Sequence, residues 1–356
     1  MENLMISTMP IKPYNKINPG LMIAPVICDV IGDILKCKKV LALNLLHSYD
    51  DKSVDLDKYL SKIVEFDINY NELIKDINYT DIYLSKIEQL IYMGFIEIKK
   101  GIVLRCDCGK VEIEKKSVIN NKNGNLYHWE NNKMICSCCN RECKEYEQTN
   151  LYMKIDSNFV NDISISPLFL KKELCNLLNR FSEREILISK NRQKDYFINI
   201  NNQRFNIDID MLWMMFNQVE ESKNQILIAS NHQLYQIFIS NYINNIFGEK
   251  SIHYIATPYL TNGEHLDLIK KIYSKHSCLY KKLVVLYSLK WKYKTLNWKN
   301  GIIELVNKLD DESLGVLYNH LLNINFDEQN SIQNIVNKIF SEINLNNNIK
   351  VLKRNK

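Results

Sequence analysis

Residues 4–52 read LMISTMPIKPYNKINPGLMIAPVICDVIGDILKCKKVLALNLLHSYDDK, and this stretch decides the fold class. Leu4, Met5 and Ile6 open an apolar run that reads as a strand. Pro10, Pro13, Pro19 and Gly20 then hold an extended loop, because proline fixes φ and restricts the residue before it. The apolar segment from Met22 to Val40 reads as a helix. Val40–Leu46 is short enough to be a buried strand, and it ends in the polar cluster His47-Ser48-Tyr49-Asp50-Asp51-Lys52. Strand, loop, helix and strand in that order make a βαβ unit. Ligands of open parallel sheets sit where strands end and helices begin, so the Pro/Gly loop and the Asp pair fall where a nucleotide would lie. The same pattern also suits an ordinary α/β unit that binds nothing.

The chain has 356 residues, enough for one large domain or two smaller ones. Its 46% apolar and 24% charged residues are those of a folded globular protein. The net charge of +5 is spread through the sequence, compatible with a polyanionic partner without demanding one. No apolar run is long enough to span a bilayer, and no basic region followed by an apolar core opens the chain. A cytoplasmic protein with no membrane partner is the expectation. Six of the ten cysteines crowd into Cys106–Cys143, which favours a metal site in a reducing compartment over disulfides.

Downstream, Asp55–Val64 reads as a helix and Asp67–Tyr79 as a loop with some helical content. Thr80 and Asp81 read as the N-cap of a helix running to Tyr92, with Gly94 as its C-cap. Phe95–Ile98 and Gly101–Leu104 read as two short extended segments around Lys99-Lys100. Zinc takes four thiolate or imidazole ligands in a tetrahedron, and a close cysteine pair on each of two turns supplies them. Cys106 with Cys108 is one tight pair and Cys136 with Cys139 the other, with Cys138 and Cys143 as rivals. An all-thiolate site leaves no open position, so the zinc would be structural.

Leu151–Ile155 reads as a returning strand, and Ser166-Pro167 as the start of a helix to Leu178. Gln225–Ser230 is a buried strand, followed by Asn231-His232-Gln233 and a helix from Leu234 to Ile246. His232 would either bind a ligand at that strand end or cap the helix. Ser251–Leu260 is a further strand. From Leu279 the chain reads as helices, with a frayed tail over Asn344–Lys356.

These pieces resemble, from Leu4 to about Leu322, the class I aminoacyl-tRNA synthetases, most closely the methionyl and cysteinyl branches. Thr8-Met9-Pro10 sits where that family's first loop opens. Asn18-Pro19-Gly20-Leu21 stands where His-Ile-Gly-His is usual, Asp29-Val30 falls at the helix position, and Ser48–Lys52 ends the second strand. Thr80–Phe95 is similar to the helix that leads into the connecting insertion, where relatives carry zinc knuckles. Ile188-Ser189-Lys190 stands for Ile-Ser-Arg. Only Gly20 of the four-residue motif is kept. Ser230-Asn231-His232 lacks the family's ribose-binding acid, and Glu264-His265-Leu266-Asp267-Leu268 replaces Lys-Met-Ser-Lys-Ser.

The resemblance implies a Rossmann-like parallel sheet in two halves, residues 1–100 and 156–275, with a zinc-knuckle insertion over 101–155 and a C-terminal helical region over 276–356. It implies amino-acid activation with ATP and Mg2+ and transfer to tRNA or another acceptor. A non-catalytic paralogue binding tRNA, aminoacyl-tRNA or a partner protein, and a biosynthetic enzyme using charged tRNA, are the alternatives. Asn18 and Lys275 would then be catalytic. Pro10, Gly20, Leu21, Asn231 and His232 would bind nucleotide, Asp50 and Trp213 the amino acid, and Cys106, Cys108, Cys136 and Cys139 the zinc.

Overall fold

The computed structural model describes residues 4–15, 19–46, 53–115, 123–124, 126–131, 133–155, 163–181, 185–191, 195–219, 222–248, 250–257, 259–261, 295–297, 319–320, 322–324 and 331–343. In chain order the elements are β1 (Leu4–Thr8), α1 (Pro19–Leu35), β2 (Lys38–Leu43), α2 (Leu56–Glu65), β3 (Glu72–Lys75), α3 (Thr80–Tyr92), β4 (Ile96–Arg105) and β5 (Glu112–Glu114). Then come β6 (Asn123–Gly124), β7 (Tyr127–Glu130), β8 (Lys133–Cys136), β9 (Lys144–Lys154), β10 (Ser164–Ser166), α4 (Phe169–Phe181) and β11 (Glu185–Leu187). The remainder are β12 (Phe197–Ile200), β13 (Gln203–Asn206), α5 (Ile209–Met214), β14 (Asn224–Ser230), α6 (Leu234–Phe247), β15 (Ser251–Thr257), β16 (Tyr259–Thr261), β17 (Thr295–Asn297) and α7 (Ile332–Ile343). The chain forms two compact units, one of residues 1–77, 162–175 and 220–356, the other of 78–161 and 176–219.

The first unit is built on a parallel sheet in the order β10-β15-β14-β1-β2-β3. Every residue of β1 is buried, as are five of the six in β2. Such continuous apolar runs suit a sheet covered on both faces. α1 packs Met22, Val26, Ile27 and Val30 into the core, and Ile335, Val336 and Ile339 of α7 join the same cluster. Gly248, left-handed at φ +66°, ends α6 by donating its N–H to the Asn244 carbonyl at 2.8 Å.

Two buried polar clusters fix this unit. Lys39 on β2 reaches across α1, its Nζ 2.7 Å from Asp29 and 2.6 Å from Asp33. Gly32 makes the crossing possible, since a Cβ there would lie 2.3 Å from Lys39 Cγ. On the far edge, His253 of β15 pairs Nδ1 with Ser164 Oγ at 2.7 Å and Nε2 with Ser166 Oγ at 3.1 Å. The same hydroxyls lie 3.3 and 2.8 Å from the side-chain amides of Gln333 and Asn337 of α7. One histidine thus ties β15, β10 and α7 together.

The second unit is antiparallel, in the order β11-β9-β4-β5, with β6-β7-β8 and β12-β13 as smaller sheets. The β4/β9 ladder runs unbroken from Ile96↔Met153 to Arg105↔Lys144. α3 buries Tyr83, Ile87 and Leu90. Gly94 follows it at φ +80°, a conformation that glycine adopts without strain.

Several local expectations are corrected. Residues 96–105 form one strand, not two, because the long β9 partner carries pairing straight through Lys99-Lys100. Ser166 ends a strand and the helix starts at Phe169, in keeping with the extended bias of a residue before proline. Thr80 is already helical and the preceding Tyr79 is the N-cap, with no side-chain cap bond. β3 lies inside the presumed loop, held by parallel pairing with β2. Thr295–Asn297, in the region read as helical, pairs in parallel with Tyr259–Thr261.

Lys39→Met leaves the fully buried Asp29 without its counter-charge, so a loss of roughly 3–5 kcal/mol is expected in urea unfolding, partly restored by adding Asp29→Asn. His253 has a second consequence. Burial lowers its pKa from 6.5 to about 4. The unfolded chain therefore binds the proton more readily, and stability is complete above pH 6.5 and declines as pH falls towards 4. About 3 kcal/mol is expected to be lost by pH 4. Denaturant melts at stepped pH check this, and His253→Gln should flatten the dependence.

Candidate nucleotide crevice and thiol centre

In the first unit, strands β3, β2 and β1 run in one direction across the sheet, and the order reverses where β1 meets β14. In open α/β sheets that reversal leaves a crevice at the carboxyl ends of the strands. Thr8 and Ser230 end the two strands at that point, and α1 starts at Pro19 beyond β1. Met9 N–H donates to the Ile228 carbonyl at 2.8 Å, and Ile11 N–H to the Ala42 carbonyl at 2.9 Å. The chain leaving β1 is therefore held between β14 and β2, with Pro10, which has no N–H to leave unpaired, at the step between them. Thr8 Oγ1 accepts from Ala42 N at 3.0 Å.

On the β14 side, Ser230 N–H donates to Gln233 Oε1 at 3.0 Å, and Ser230 Oγ pairs with His232 Nδ1 at 2.6 Å. This sets the His232 ring at the strand end, where partial desolvation lowers its pKa. Lys12 supplies positive charge on the loop, its Nζ 5.2 Å from the Tyr14 ring centroid. Asp76, unnoticed in the sequence, is fully buried and accepts from Leu45 N and Leu46 N at 2.7 and 3.2 Å, pinning the exit from β2. Its only sequence signal is a carboxylate directly after a short β-like run.

Of the expected nucleotide-binding residues, Pro10, Asn231 and His232 lie at these strand ends, while Gly20 and Leu21 lie in the first turns of α1. The Leu21 carbonyl accepts from the Tyr59 hydroxyl at 3.4 Å. Asn18, Asp50 and Lys275 lie outside the described residues. Trp213 is in α5 of the second unit and buried.

The thiol centre is in the second unit, where two turns of similar build face each other. After β4, Gly109 N–H closes on the Cys106 carbonyl at 2.9 Å, with Gly109 at φ +73°. After β8, Asn140 N–H closes on the Cys136 carbonyl at 2.9 Å, with Asn140 at φ +53°. Cys106 Sγ lies 3.2 Å from Cys139 Sγ, and Cys108 Sγ 3.5 Å from Cys136 Sγ. All four sulfurs fall within 4.8 Å of one another. A tetrahedral zinc thiolate site has sulfurs roughly 3.8 Å apart, so the set fits one zinc-sized ion. Burial raises the Cys106 and Cys136 pKa values, while the Lys110 N–H lowers that of Cys108 to about 7. Of the rivals, Cys138 is exposed and outside the group, and Cys143 is buried beside it.

No family model matches the sequence, and no curated protein does. The fold is similar to solved structures of Mycobacterium tuberculosis methionyl-tRNA synthetase. With the complex with methionyl-adenylate the TM-score is 0.68 at 9% identity, covering 98% of this chain and 81% of that one. With the free enzyme it is 0.64 at 8% identity, covering 98% and 78%. At such identity the likeness is one of fold. Among the described residues no helix is long and apolar enough to cross a membrane.

Titration with Co2+ should give thiolate-to-metal charge-transfer absorption saturating near one ion per chain, and a Cys106→Ser/Cys136→Ser double variant should lose the band. Retention of the full band in that variant would rule out these four ligands.

Proposed function

We propose that this chain is a synthetase-like protein that binds ATP and an amino acid at the β1/β14 crevice, forms an aminoacyl adenylate, and passes the acyl group to tRNA or another acceptor. The strand reversal between β1 and β14 carries the reading, because it sets a loop, a helix start and His232 around one crevice. The similar solved structure holds methionyl-adenylate, the intermediate of such a reaction. In this reading the amino-acid carboxylate attacks the α-phosphorus of ATP and pyrophosphate leaves, Mg2+ would offset charge on the leaving phosphates, and AMP leaves when the acceptor takes the acyl group. Gly20 lets the backbone approach the nucleotide, Asn18 donates to phosphate, Asp50 holds the substrate amine, and Lys275 offsets charge developing on the phosphates. Zinc on Cys106, Cys108, Cys136 and Cys139 orders the insertion and takes no part in the chemistry. The setting is the cytoplasm, where ATP and tRNA meet.

One observation favours a second reading, a paralogue that binds tRNA, charged tRNA or a partner protein without adenylation. Ser230–Gln233 offers no carboxylate for a ribose, and Leu21 cannot donate a hydrogen bond to phosphate.

ATP–pyrophosphate exchange with a pool of the twenty amino acids separates the two, beside calorimetric titration with ATP. The expected result is exchange dependent on one amino acid, reduced about 10- to 100-fold by Asn18→Ala. Absence of both exchange and ATP binding would sink adenylation and leave the binding role.

A further inference from the structure

The carboxyl end of β14 carries a hydroxyl and an imidazole already in contact. Ser230 Oγ lies 2.6 Å from His232 Nδ1, and the pair is exposed. At that spacing a general base can take the proton of a nucleophile. The backbone beneath the pair is fixed. Residues 225–229 are buried, and Ser230 is in register with Thr257 of β15. Its N–H donates to Gln233 Oε1 at 3.0 Å. Two residues earlier the Ile228 carbonyl accepts from Met9 N–H, so the chain leaving β1 runs beside the same strand end.

His253 also contacts serine hydroxyls, but at 1% exposure it can meet no substrate. His232 is open where His253 is sealed. Partial desolvation lowers the His232 pKa, so its base form persists to lower pH than that of an ordinary histidine.

We propose that Ser230 and His232 are a nucleophile and general base that take the acyl group from an activated carboxylic donor at the crevice. Ser230 Oγ attacks the carbonyl carbon and passes its proton to His232 Nδ1. An ester forms on Ser230 as the bond between the carbonyl carbon and the leaving group breaks. With an aminoacyl adenylate, that bond is the carbon–oxygen bond of the mixed anhydride, and AMP leaves with the electron pair. His232 then loses its proton to solvent and serves again as base while water or an acceptor hydroxyl cleaves the ester. The adenylate as donor rests on the adenylation proposed above; the pair itself needs no ATP.

Two ATP-independent probes on the full chain keep the pair separate from pyrophosphate exchange. A fluorophosphonate phosphonylates base-activated serines with loss of fluoride, and p-nitrophenyl acetate acylates them with release of p-nitrophenolate. Peptide mass mapping is expected to find an adduct on Ser230 with at least one of them, absent in Ser230→Ala. The rate of modification should fall about 100-fold or more in His232→Gln. In the wild type it should decline with falling pH through one ionisation below 6.5, a dependence that a merely structural hydrogen bond would not produce. Urea melts check that both variants fold, and the wild-type pH profile stands without them. No Ser230 adduct with either probe, or an unchanged rate in His232→Gln, would overturn the pair while leaving exchange as the test of adenylation.

Discussion

A lysine ammonium held between two carboxylates sets where α1 lies on its sheet. Asp29 has no access to water, and Lys39 reaches it only because Gly32 lets the methylene stem pass. A buried pair of this kind adds little net stability, yet is costly to break, so it acts chiefly by excluding other arrangements. Rotating α1 by even one residue would strand Asp29. The start of α1 at the crevice, and with it the position of Gly20, depends on that lock at the other end of the helix. Thr8 and Asp76 extend the same logic, using side chains to fix where β1 and β2 finish.

The second unit solves a different problem. Around the thiols the apolar cluster is small, formed by Leu104, Val111, Met134 and three buried cysteines with a few half-buried neighbours. So few groups bury too little surface to hold two tight turns, and under the proposed reading a metal bound by the four thiols would replace the missing core. The long β4/β9 ladder then carries this small cluster as an extension of a larger sheet.

Much of this was legible because burial imposes patterns. β1, β2, α2, β14 and α6 announce themselves as apolar runs or helical stripes, and the crevice residues Pro10, Asn231 and His232 follow from being at strand ends. The four-thiol cluster was legible from crowding of cysteines, even with Cys106 and Cys108 one residue closer than the common spacing. Which four of six converge was not, because that rests on left-handed turns at Gly109 and Asn140. β3, β10 and β17 are three or four residues long and owe their form to partners distant in sequence, which local propensity does not register. The burial of Lys39 and Asp76 leaves no mark in the local sequence. Nothing in a single sequence distinguishes a solvated carboxylate from one enclosed by the fold.

The place of β1 in the sheet also has a consequence in time. Leu4 pairs with Asn224, so β1 waits for a strand made 220 residues later. At about 5–20 residues per second, synthesis leaves that side of β1 open for roughly 10 to 45 seconds, even after β2 has closed the other. An apolar parallel strand with one bare edge is a template for the wrong partner. During that interval the open edge of residues 4–8 is where mispairing of the nascent chain would begin.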